Sequence, residues 1–176
     1  GTGTSVNTNT NPSTITGLMP GVVYDFYVQA DCGGGQNNPW SNVTSYSVPI
    51  SNDAACDAIQ VPVDGSTTTY INDGATLQTG EPTALGDNTV WFMFDAPASG
   101  HVEINTCGED FDNFIKVYET TDCSDFNTFV GIDSATNNPF MSCTGVDPAG
   151  LNLCGLTAGN TYYLAVGSEN AGTTGA

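Results

Sequence analysis

Between residues 22 and 30 apolar and polar side chains alternate: Val22, Tyr24, Phe26, Val28 and Ala30 share one face, and Val23, Asp25, Tyr27 and Gln29 the other. A period of two is the signature of a half-buried antiparallel strand. A Pro20-Gly21 turn precedes this strand, and the same reading predicts strands over 13–18 and 43–48 on either side of it. After Pro49 the pattern restarts. It predicts strands over 59–63, 67–70, 90–95, 101–106, 114–119, 129–133 and 162–167, punctuated by the turn signals Ala96-Pro97-Ala98-Ser99-Gly100 and Leu156-Thr157-Ala158-Gly159-Asn160. No segment sustains a helical period, so the expected fold class is all-β. The expected units are 1–49, the last strands of a seven-strand sandwich; a linker at 50–52; and a second sandwich over 53–176.

Composition narrows the chemistry. The 176 residues include 21 glycines, one basic residue, Lys116, and 19 carboxylates, for a net charge of −18. Nucleic acid and anionic membrane surfaces are bound through clusters of Lys and Arg, so neither is an expected partner. With His101 as the sole imidazole, no Arg and an even number of cysteines to pair, a Ser-His-Asp or Cys-His triad is close to excluded. No cleft-forming insertion offers a place for a pair of hydrolytic carboxylates, and no catalytic residue is expected.

Six cysteines without a Cys-x-x-Cys pair point to disulfides in an oxidising compartment. Cys107 and Cys123 bracket one strand-turn unit and form the first expected pair, whose loop would contribute about 3 kcal/mol. Cys143 with Cys154 is the second. Cys32 and Cys56 either staple the two units together or have partners elsewhere.

Two resemblances rest on particular residues. Leu18, Pro20-Gly21 and Tyr24 resemble the tyrosine corner of a fibronectin type III domain, whose phenol bonds back across the turn. The second runs from residue 53 to 176. Its carriers are Cys56-Asp57-Ala58-Ile59, Val90-Trp91-Phe92-Met93-Phe94-Asp95-Ala96-Pro97-Ala98-Ser99-Gly100, Thr106-Cys107-Gly108, Phe111-Asp112-Asn113-Phe114-Ile115-Lys116-Val117-Tyr118 and Gly155-Leu156-Thr157-Ala158-Gly159-Asn160-Thr161-Tyr162-Tyr163. These are similar to the bacterial pre-peptidase C-terminal (PPC) domain, a jelly-roll β-sandwich of secreted multidomain proteins. The resemblance implies that the final strand of that fold is missing here.

This module order looks like the stalk of large surface proteins exported by the type IX route. It implies an extracellular, cell-surface location and a non-catalytic stalk or adhesion segment, whose partners are polysaccharide or a neighbouring cell. Two alternatives accompany it: a repeating subunit of an extracellular filament, joined to other copies of itself by strand complementation, and an accessory region of a secreted hydrolase.

Acidic loops are the candidate metal site. Ca²⁺ takes six to eight hard oxygens, and the resembled family associates calcium with acidic residues at the positions of Asp53, Asp57, Asp110 and Asp112. Trp40, Tyr46, Trp91, Tyr118, Tyr162 and Tyr163 are candidates for a sugar-stacking surface, although Trp91 lies in an apolar strand and reads as core. Asp133-Ser134-Ala135 resembles the O-glycosylation acceptor of the same bacterial group, with Ser134 as the modified residue.

Overall fold

The computed structural model describes residues 3–31, 33, 38–82, 88–108, 111–137 and 148–169. The fold is all-β. Among the described residues nine strands run in chain order as β1 (Val23–Phe26), β2 (Thr44–Ser47), β3 (Ile59–Gln60), β4 (Val90–Asp95), β5 (Val102–Asn105), β6 (Asn113–Glu119), β7 (Val130–Ala135), β8 (Gly150–Leu153) and β9 (Thr161–Ser168). They form an antiparallel pair β1-β2, a five-stranded sheet ordered β3-β4-β9-β6-β7, and a second pair β5-β8.

The three middle strands of the large sheet are the chain's longest apolar runs, as strands covered on both faces must be. On β4 the alternation sends Val90, Phe92 and Phe94 to one side and Trp91 and Met93 to the other. The first side joins Ile115 and Val117 of β6, Tyr162 and Leu164 of β9, and Val102, Leu151 and Leu153 of the β5-β8 pair in one core. On the reverse face Trp91, Phe114, Tyr118 and Ala165 form a second core, covered by the 3-10 turns Ala55–Asp57 and Phe126–Thr128. Fully buried Asn113 ties the two sheets together. Its Oδ1 accepts from the Thr106 hydroxyl (2.8 Å) and the Ala149 N–H (3.3 Å), while its Nδ2 donates to the Phe111 carbonyl (3.2 Å), so its polar atoms are satisfied inside the core.

Two eight-residue segments repeat one device. In Gly17-Leu-Met-Pro-Gly-Val-Val-Tyr24 the Met19 N–H donates to the Tyr24 hydroxyl at 3.0 Å. In Gly155-Leu-Thr-Ala-Gly-Asn-Thr-Tyr162 the Thr157 N–H donates to the Tyr162 hydroxyl at the same distance. Gly21 and Gly159, three residues before each tyrosine, hold φ of 76° and 80°, the left-handed region that a side chain disfavours. Each phenol oxygen thus accepts from the backbone N–H five residues upstream, and Tyr162 is the counterpart of Tyr24 in the second unit.

Residues 50–52, read from sequence as a linker, are built into the larger unit. Ile50 belongs to the first core. Asn52 is buried and bonds to Trp91 twice, accepting from its N–H (2.8 Å) and donating from Nδ2 to its carbonyl (3.1 Å). Gly21 and Gly74 approach so closely that a Cβ built on Gly74 would lie 2.9 Å from the Gly21 Cα. The turn before β1 thus rests backbone to backbone on the larger unit, while the β1-β2 pair itself stays open to solvent, with Val23 and Tyr46 exposed.

Candidate functional site

The expected metal ligands do not converge among the described residues. Asp53 fastens a turn: one carboxylate oxygen accepts from the Thr76 N–H (2.6 Å) and the other from its hydroxyl (2.7 Å). Asp57 is exposed on the 3-10 turn Ala55–Asp57. Asp112 sits just before β6, where its carbonyl accepts from the Glu169 N–H, and Asp110 lies outside the described residues. No group of three or more His, Cys, Asp or Glu side chains is drawn together among the described residues.

The cysteine pairing differs from expectation. Cys123 is bonded to Cys56, with Cα atoms 5.0 Å apart, and not to Cys107. A sulfur makes one such bond, so closeness along the chain to Cys107 gave way to closeness in space to Cys56, 67 residues away. Cys107 is itself disulfide-bonded. Cys154 is a free, exposed thiol, so the expected Cys143–Cys154 bond is not made. Leu151 and Leu153 point into the core, while Cys154 falls in phase with outward Asn152. Cys32 and Cys143 lie outside the described residues.

The Cys56–Cys123 bond closes over an aromatic face. Trp91, fully buried, stacks on Phe126 (6.0 Å between centroids) and meets Phe129 edge-on (5.6 Å). Phe129 also contacts Tyr118 and Tyr163. The Trp91 indole N–H donates to Glu81 at 3.1 Å. Of the six aromatics considered for sugar stacking, Trp91, Tyr118 and Tyr162 are core residues, while Trp40 and Tyr46 are exposed in the first unit. They do not form one platform.

Burial, and secondarily the Glu81 carboxylate, push the Tyr118 phenol up to about 12 from its ordinary 10. The unfolded chain then releases this proton first. The contribution is fully present below pH 10 and disappears as pH rises from 10 to 12. Melting temperatures measured across that window should fall for the native chain and fall less for Tyr118→Phe; equal slopes would deny the shift.

A cavity of about 650 Å³ opens beside β5. Its floor is the first core's Val90, Phe92, Phe94, Leu164 and Val166, and its two long walls are β5 with its flanking residues and the chain over 61–70. Tyr70 packs on Phe92 at 4.8 Å. The strand expected over 67–70 does not form. No ladder ties it to β5, whose registered partner is β8. His101 lies on the outer rim, its Nε2 2.6 Å from Asn152 Oδ1. Ser134 is exposed near the end of β7, an edge strand, paired across to Lys116.

Compared with known proteins, the chain matches no family model, no curated protein and no solved structure. Among the described residues no helix is long and apolar enough to cross a membrane. What the fold defines is an all-β protein with a two-sided core and a disulfide over its aromatic face.

Proposed function

We propose that the chain is a non-catalytic stalk and adhesion segment of an exported bacterial surface protein, making weak contacts with polysaccharide or a neighbouring cell. The observation that carries this reading is the Cys56–Cys123 bond spanning the reverse face of the sheet, because such bonds persist in oxidising, extracytoplasmic surroundings. The tandem of β units, in contact at Gly21 and Gly74, supports a spacer. The resemblances to fibronectin type III and PPC domains support the bacterial surface. Ser134, exposed on an edge strand, is accessible to a glycosylating enzyme.

A second reading, a filament of repeating copies, is favoured by the cavity beside β5. Electron microscopy of the native material separates the two. Isolated rods or beads are the expected result; a regular axial repeat would overturn the stalk reading in favour of the filament.

A further inference from the structure

We infer that the cavity beside β5 is a strand-acceptor slot, filled by the uncharged segment 13–16 of a second copy of this chain. This deepens the filament reading by naming the donor and the acceptor. Three observations carry it.

The first is an edge. The Thr106 N–H donates to the Ala149 carbonyl and the Gly100 carbonyl accepts from the Leu156 N–H, so even-numbered residues carry the ladder to β8. Glu103, near the strand's centre, therefore turns its backbone N–H and C=O away from β8 and toward the slot it lines. Such an edge is a template for another strand.

The second is size. An added strand occupies about 4.8 Å along the ladder, about 10 Å between sheets and about 3.4 Å per residue, or roughly 160 Å³ per residue. The cavity of about 650 Å³ then holds roughly four residues, the length of β5. Its floor is apolar, which suits a strand with an apolar residue on its inward face and polar residues on the other.

The third is the donor. Every residue from Gly3 to Gly17 is exposed and in no regular element. Ser13-Thr14-Ile15-Thr16 has strong β-propensity, with Ile15 available for the floor and Thr14 and Thr16 on the opposite face. Charge favours this segment. The chain carries a net −18, yet no charged side chain occurs from Gly1 to Tyr24. A copy presenting it adds no like charge to an acidic neighbour.

The test is binding of a fluorescein-labelled peptide of residues 3–16 to the full chain, followed by anisotropy. Saturable binding is expected. It should weaken about tenfold or more when Ile15→Asp or Thr14→Pro is placed in the peptide. In the chain, Glu103→Pro removes an N–H that β8 does not use, a position where an edge strand tolerates proline, and should abolish binding without lowering the melting temperature. If that variant unfolds, Ile104→Trp blocks the slot by filling it. Hydrogen exchange should show the Glu103 amide gaining protection only when peptide is present.

Absence of binding, equal binding to the native chain and to a folded blocked variant, or a Glu103 amide already protected in the dilute chain would overturn the proposal. The last outcome would mean that the chain fills its own slot. Peptide binding intact in material without an axial repeat would leave the slot standing and remove the filament.

Discussion

Replacing Cys56 and Cys123 together by serine should lower the unfolding free energy by about 4 kcal/mol. The bond joins residues 67 apart in sequence, and the chain-entropy cost of freeing a loop of that length sets the figure. For a unit of this size the melting temperature should drop by roughly 8–16 °C. The double variant is preferable to a reductant, which would also open the bond made by Cys107. Cys154→Ser, at an exposed free thiol, should leave the melt unchanged. A double variant that melts with the native chain would show that the bond does not form in solution.

Trp91→Ala should cost about 3–5 kcal/mol, the range for emptying a fully buried aromatic site. Trp91 has no exposed surface, and Tyr118, Phe126 and Phe129 all lean on it. Trp91→Phe keeps much of that packing and should cost less. Chemical unfolding gives the energies, and fluorescence gives an independent readout. The chain has two tryptophans, and Trp40 is 59% exposed. Losing Trp91 should therefore remove the blue-shifted emission and leave the red-shifted part. A cost below that of an exposed aromatic would deny the second core. The two lesions should not add, because Phe126 and Cys123 belong to one short segment laid over Trp91. Once the bond is cut, that segment is freer to leave and the tryptophan has less packing to lose, which a double-mutant cycle measures.

The strands most legible in the sequence were those buried on both faces. Val90-Trp91-Phe92-Met93-Phe94 can be accommodated only in the interior of a sheet, and its expected bounds match β4. β8 was missed because Gly150-Leu151-Asn152-Leu153 offers two inward side chains and no β-branched residue. The strand expected over 67–70 failed for the opposite reason: three threonines and a tyrosine have the propensity, but in this structure they lack a partner ladder. Local pattern does not report such partners.

The disulfide is not legible from spacing, because Cys123 finds its partner 67 residues away in sequence and nearness along the chain does not report nearness in space. The doubled tyrosine corner was available throughout, since Gly-Leu-x-x-Gly-x-x-Tyr stands twice in the chain. Comparing the two turns with each other would have found it. An acidic loop has no single signature in sequence, because short acidic side chains fasten turns, as Asp53 does at Thr76, as readily as they hold ions.

Lys116 is the chain's sole basic residue. It lies in β6, hydrogen-bonded to strands on both sides, with its ammonium 5.5 Å from the centre of the Phe114 ring and its pKa lowered by burial. A protease that cuts after basic residues meets one scissile bond in the whole chain, and the middle of a sheet must come apart before an enzyme can thread it. Fraying of loops and ends, which dominates ordinary digestion, is invisible to such an enzyme. The molecule thus carries a single-site meter of sheet rupture, and its half-life under trypsin reads the population of the globally opened chain.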